Sequence, residues 1–227
     1  MTPAVKAIIW TNVALFVVSL LYNDVIQYLG LIPERVLEQL WIWQLGSYMF
    51  LHAGIFHILF NMLGVWMFGV ELERLWGTKF FLRYYAITGV GAGATAIVAS
   101  LLPIGALADT YQAVTIGASG ALYGLLMAFA LRFPDRPILM FLLFPIPAKY
   151  FVMILGAIAF LSAPGSQVSN AAHLGGLIFG YAYLKQGRGG GLTAEIKYRY
   201  LKWKMNRLRR KFDVYSGGKS DWDRHIH

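Results

Sequence analysis

Long apolar runs broken by short polar stretches dominate the chain, at about residues 4–22, 54–71, 80–102, 116–131, 147–163 and 170–184. A helix that crosses the hydrocarbon core of a bilayer needs roughly 20 mostly apolar residues. Each run comes near that length, so the pattern predicts an all-α fold: a polytopic membrane helical bundle of six transmembrane helices. The first run reads as a span rather than a cleavable leader, because it is long and lacks a convincing small-residue cleavage site. Orientation follows from Lys and Arg, which accumulate in cytoplasmic loops. With six spans, Lys6, Arg74, Lys79, Arg83, Arg132, Arg136, Lys149 and the C-terminal tail fall on one side and only Arg35 on the other. Both ends of the chain are therefore expected in the cytoplasm, with the protein in the cytoplasmic (inner) membrane.

The connections carry patterns of their own. Residues 23–53 form a long outer connection with Trp41, Trp43, Tyr48 and Phe50 beside apolar residues. Aromatic rings prefer the headgroup level, which predicts a connection lying partly in the membrane interface as short helical pieces, with a plain extracytoplasmic loop as the alternative. Residues 137–146 are apolar but bounded by Pro134, Pro137, Pro145 and Pro147. Proline removes a helical hydrogen bond and clashes with the preceding turn, so this stretch is expected to be an inner-face interfacial segment that does not continue a helix. A glycine-rich linker, Gly187 to Gly191, separates a membrane core (residues 1–186) from a tail (187–227) in which Thr193 to Phe212 interleave Lys/Arg with Ile196, Tyr198, Tyr200, Leu201, Trp203 and Leu208.

Composition sharpens this picture. Of 227 residues, 58% are hydrophobic and 14% charged, too apolar for an ordinary soluble domain of this length. Cysteine is absent, which excludes disulfides, thiolate metal sites and a cysteine nucleophile. The net charge of +9 is unevenly spread: residues 1–184 carry eight Lys/Arg against seven Asp/Glu, and residues 185–227 carry twelve against four. A basic amphipathic stretch next to a membrane suits the anionic cytoplasmic leaflet. Lipid rather than nucleic acid is its expected partner.

Polar residues inside spans are costly, about 2.5 to 3.5 kcal/mol for a charge at a helix centre, so their placement is informative. His57 and Asn61 stand four apart on one face near the outer end of the second span. Ser119 opens the fourth span, and Asn170 and His173 the sixth. Three spans distant in sequence thus bring their polar side chains to one depth. Serine is a weak nucleophile until a neighbour takes its proton, and histidine titrates near neutrality and can do so. Gly120 and Gly124 on one helix, and Ala172, Gly176 and Gly180 on the other, are the small surfaces that let two helices approach closely. Tyr123, one turn beyond Ser119, is placed to stack on the His173 ring. The Asn61 amide, the His57 ring N–H and the backbone N–H of Ser119 are candidate donors to an oxyanion.

These residues resemble the rhomboid family of intramembrane serine proteases, through His52-x4-His57-x3-Asn61, Gly117-x-Ser119-Gly120-x2-Tyr123-Gly124 and Asn170-x2-His173-x2-Gly176-x3-Gly180. The resemblance covers about residues 5–185. It implies that Ser119 is the nucleophile and His173 the base of a dyad, that His57 and Asn61 line the oxyanion hole with Ser119, and that Tyr123 packs on His173. It places His52 at the mouth of the site. It further implies an outward-opening water-filled cavity capped by the loop between spans five and six, with substrate helices arriving beside span five. Glu71 and Glu73 with Arg74 resemble the family's structural acidic and basic pair, Glu73 more closely. One departure is Trp43-Gln44, where many members have Trp-Arg.

The expected protein is an intramembrane endopeptidase of the minimal prokaryotic type, cutting transmembrane segments of other proteins near their outer end with neither metal nor cofactor. The alternative is a rhomboid-like protein that escorts membrane clients without cutting them. A transporter would place its polar residues at the midplane. A metalloprotease would need H-E-x-x-H, and His52 and His57 are five apart.

Overall fold

The computed structural model describes residues 1–22, 24–103, 105–140, 143–161 and 167–188. In chain order, α1 (Pro3–Leu21) leads to α2 (Asp24–Leu29), α3 (Pro33–Glu38), α4 (Gln44–Ser47) and a 3-10 turn at Tyr48–Phe50. Then come α5 (Ile55–Trp76), α6 (Thr78–Ser100), a second 3-10 turn at Gly105–Thr110 and α7 (Ser119–Arg132). Strands β1 (Pro137–Met140) and β2 (Phe144–Pro147) precede α8 (Ala148–Leu161) and α9 (Gln167–Arg188). The long outer connection is thus built of short helical pieces, and each apolar run carries a helix. Among the described helices, α1 and α5 are long and apolar enough to cross a bilayer by length and composition. Helices α6 and α9 have the length but are rich in small and polar residues. Helices α7 and α8 are apolar but have only 14 residues each.

Small residues set how the helices cross. A Cβ on Gly124 would lie 2.5 Å from Thr88 Cβ of α6, and one on Gly120 would lie 2.5 Å from Ala92 Cβ. On α9, a Cβ on Gly180 would stand 3.2 Å from Gly124 Cα, and one on Gly176 would overlap the Gly120 carbonyl. Helices α7 and α9 therefore meet backbone to backbone, and α6 packs on α7 through the first side-chain carbons of Thr88 and Ala92, the packing that small residues permit in lipid. On the other side of α7, Phe68 of α5 meets Phe129 edge-on at 5.1 Å between ring centroids.

Buried Glu73, near the end of α5, joins two helix ends. Its Oε1 accepts from the Ala4 N–H at 2.9 Å and from the Thr78 hydroxyl at 2.8 Å, and its Oε2 accepts from the Val5 N–H at 3.0 Å. The first N–H groups of a helix have no intrahelical acceptor, and a carboxylate there also opposes the positive pole of α1. Glu71 instead forms an ion pair with Arg136. Glu73 ties helix ends as the resemblance implies, but through the backbone of α1 and not through Arg74.

The proline-bounded segment is a β-hairpin, a small addition to a fold that is otherwise a helical bundle. Pro137 pairs with Pro147, Ile138 with Ile146 and Leu139 with Pro145 in antiparallel register. A two-stranded ribbon has two open edges, where a missing N–H costs little. Residues Met1–Leu184 form one compact unit. Of the second, Lys185–His227, only the last turn of α9 is described, which runs on through Gly187 into what reads as linker. The basic tail and the loop at 162–166 lie outside the described residues.

Candidate active site

The N-terminal end of α7 is held by the connection between α1 and α5. Leu31 and Thr115 exchange two backbone hydrogen bonds, at 2.9 and 2.8 Å, and the Gly117 N–H donates to the Tyr48 carbonyl at 3.0 Å. Tyr48 is not at the surface among the interfacial aromatics; it is 1% exposed, and its hydroxyl donates to the Gly89 carbonyl of α6 at 2.8 Å. Burial pushes its phenol well above its ordinary pKa. Gln44, fully buried, holds the same connection together: its Oε1 accepts from the Ile32 N–H at 3.0 Å and its amide donates to the Tyr28 carbonyl at 3.2 Å. The Arg35 guanidinium bonds the Gln27 carbonyl and lies 5.0 Å over the Trp41 ring. Gln44, whose departure from the family pattern leaves a shorter side chain here, bonds backbone carbonyls of that connection, with Arg35 adding a cation.

Gly117, with φ +129°, turns the chain into α7, and Ser119 is the first helical residue. Its Oγ lies 2.8 Å from His173 Nε2 of α9. That is within the range of an O–H donating to a ring nitrogen, which leaves Nδ1 as the protonated position of a neutral ring. Among the described residues that Nδ1 is buried and has no hydrogen-bond partner. The ring is oriented by contact instead, since Tyr123 stacks on His173 with centroids 4.2 Å apart and planes within 5°. Asn170 sits one turn before His173, half-buried.

The α5 residues approach from the other side. The Ala53 N–H donates to His57 Nδ1 at 3.3 Å, so a neutral His57 carries its proton on Nε2. A Cβ on Gly117 would lie 2.9 Å from that Nε2 and 3.8 Å from Ser119 Oγ. The missing side chain of Gly117 is therefore the gap between the donor and the hydroxyl. Asn61 is buried and donates to the His57 carbonyl at 2.8 Å, while its Oδ1 has no described partner. His52 is 2% exposed, its two ring nitrogens have no hydrogen-bond partner among the described residues, and it packs edge-on against His57 at 4.9 Å. Burial, and secondarily the His57 ring, push its pKa down to about 4.

The structure thus brings Ser119, His173 and Tyr123 into direct contact, sets His57 across the Gly117 gap, and places Asn61 and His52 one contact further out. Gly120, Gly176 and Gly180 act at the crossing behind them. Among the described residues no group of three His, Cys, Asp or Glu side chains is placed to hold a metal ion. Sequence reasoning missed three contributors: Tyr48, Gln44 and the Leu31–Thr115 bridge. Backbone-mediated pinning leaves no residue signature, although a tyrosine whose hydroxyl needs a partner when buried was a hint.

The family model described as Rhomboid domain matches residues 39–186. The chain is 32% identical over 180 residues to RHOMBOID-like protein 2 of Arabidopsis thaliana, covering 76% of this chain and 50% of that one. It is 34% identical over 140 residues to the rhomboid protease GluP of Bacillus subtilis, covering 61% and 25%. With the rhomboid protease GlpG of Yersinia pestis it shares 27% identity over 180 residues, covering 78% and 60%. The chain spans about a quarter to three-fifths of the length of these curated relatives.

Proposed function

Since the chain belongs to the rhomboid family of membrane proteins, its family model covering residues 39–186, we propose that it is an intramembrane serine endopeptidase working through a Ser119–His173 dyad. The observation that carries this reading is the 2.8 Å approach of Ser119 Oγ to His173 Nε2. In the proposed reaction His173 Nε2 takes the hydroxyl proton as Oγ attacks a peptide carbonyl, and returns it to the leaving amine. Water then hydrolyses the acyl-enzyme by the same exchange in reverse. The developing oxyanion would face His57 Nε2–H across the Gly117 gap, the Asn61 amide, and the Ser119 N–H at the positive end of α7.

The membrane arrangement belongs to this proposal: six spans, both ends of the chain cytoplasmic, the site opening outward, and the basic tail on anionic lipid. A helix of 14 residues is about 21 Å long, short of the roughly 30 Å hydrocarbon core. Helix α7 would then begin below the outer surface, with Ser119 recessed. Helices α5 and α9 bring His57 and His173 to the same depth. Substrates are transmembrane segments of other proteins, with Gly, Ala, Ser or Pro weakening the helix near the cut. Purified protein incubated in liposomes with a panel of single-span substrates, the cut mapped by mass, tests the activity. Ser119→Ala is expected to abolish cleavage and fluorophosphonate labelling while its melting temperature stays near the parent's. Cleavage by Ser119→Ala at the parent's rate would overturn the dyad, and a parent that neither labels nor cleaves would mark an escort protein instead.

A further inference from the structure

At the far end of α5 from the polar cluster lies a groove of about 560 Å³ between α5, the last turns of α7 and strand β1. Its volume is in the range of ligand pockets, roughly 300–1,000 Å³. Its walls are graded in polarity. Trp66 and Met67 of α5, 48% and 44% exposed, and Leu139 of β1, 55% exposed, form the apolar part. One to two turns further along α5 come Glu71 and Arg74, which also line an adjoining cavity of about 380 Å³. Glu71 is taken by Arg136, whose guanidinium lies 5.8 Å over the Phe129 ring. Arg74 is exposed and has no acidic partner among the described residues. The groove therefore carries two arginines against one glutamate, with the unmatched cation at its polar end.

We infer that this groove holds an anionic phospholipid, its phosphate on Arg74 and an acyl chain along Met67 and Trp66. A ligand that fits must be anionic at one end and hydrocarbon at the other, with the polarity change about two helical turns long. The chain's own tail does not fit, since residues 185–227 carry twelve Lys/Arg against four Asp/Glu and share the sign of the groove. Lysines and arginines facing the cytoplasmic leaflet each contribute about 1 kcal/mol of attraction to anionic lipid, and a cation fixed above an apolar channel adds headgroup selectivity to that diffuse attraction. The inference rests on α5 spanning the bilayer with Arg74 at the cytoplasmic end; it is independent of the proteolytic reading.

The full chain in neutral detergent, supplemented with equal mole fractions of phosphatidylglycerol and phosphatidylcholine and examined by native mass spectrometry, tests it. The parent is expected to retain one phosphatidylglycerol in preference to phosphatidylcholine. Arg74→Gln should lower that preference about fivefold, as loss of one such cation implies, while Arg74→Lys keeps most of it. Lys79→Gln, on the same side but outside the groove, should leave it unchanged. Trp66→Ala should release both lipids more readily without altering the preference. Ser119→Ala should retain phosphatidylglycerol like the parent, so failure of the protease reading would leave this result standing. Equal retention of the two lipids by the parent would overturn the inference. So would an equal loss in Arg74→Gln and Lys79→Gln, displacement by millimolar inorganic phosphate, or a dimer that excludes lipid. Each variant is compared at matched melting temperature, so that misfolding does not pass for lost binding.

Discussion

Ser119 differs from the other hydroxyls among the described residues by what surrounds it: a glycine gap on one side and, 2.8 Å away, an imidazole on the other. In the proposed dyad the stack of Tyr123 on that imidazole, 4.2 Å between centroids, would take the orienting part that a carboxylate plays in Ser-His-Asp hydrolases. Aromatic pairs of this kind are worth about 0.5–1.5 kcal/mol, so Tyr123→Ala should lower kcat about two- to twelvefold, whereas Tyr123→Phe, which keeps the ring, should stay near the parent. Equal losses in both would show that the hydroxyl and not the stack matters. His52 makes a different prediction, about stability. Its folded pKa of about 4 lies below the ordinary 6.5, so the unfolded chain takes up its proton first as pH falls. Stability is fully present above about pH 6.5 and drains away as pH falls toward about 4. Replacing His52 with Gln should flatten the melting temperature across that window; an unchanged slope would mean that His52 is solvated.

At the scale of elements, the distance between Ser119 and His173 is a property of the crossing of α7 and α9. Gly176 stands where a Cβ would overlap the Gly120 carbonyl, and a backbone atom cannot swing aside as a side chain can. Gly176→Ala should therefore push α9 outward and cost most of the activity, even where the protein still folds and inserts. Gly46 in α4 has nothing within 4 Å of the corresponding Cβ position, and Gly46→Ala should be silent. Cleavage rates for the two, measured beside their melting temperatures, separate a crossing effect from a general helix effect. The hairpin of β1 and β2 was partly legible: Pro137, Pro145 and Pro147 forbade a helix, but strand pairing between two short apolar segments gives no period that distinguishes it from an irregular interfacial loop.

At the largest scale, the unit Met1–Leu184 is closed by contacts between residues far apart in the chain. Glu73 joins α1 to the α5–α6 junction through three hydrogen bonds of 2.8–3.0 Å. Hydrogen bonds to a charged group contribute about 1.5–3 kcal/mol, and partial rehydration of the freed Ala4 and Val5 N–H groups leaves an expected loss of about 3 kcal/mol in Glu73→Ala. At about 2–4 °C per kcal/mol for a chain of this size, the melting temperature should fall by about 6–12 °C, with KM unchanged in the protein that remains folded. Glu73→Gln, which keeps one acceptor oxygen, should lose less. A melting temperature unmoved by Glu73→Ala would show that α1 is held by its apolar face alone.

The sequence by itself determined which stretches are helical and apolar, and which few polar residues interrupt them. Both are local properties: an unpaired polar group in an apolar run is conspicuous wherever the run ends up. That His173 and Ser119 were candidates to meet was legible for the same reason, since each lies in the first turns of an apolar helix beside small residues. Only the tertiary structure decided that they touch, because contact depends on how α6, α7 and α9 cross. It also decided that Tyr48 turns inward to the Gly89 carbonyl, that Gln44 and the Leu31–Thr115 bridge hold the turn before Ser119, and that Glu73 serves α1. Those partners are backbone groups, present at every position, so no residue pattern announces which will be met; the fold chooses them by bringing them within reach.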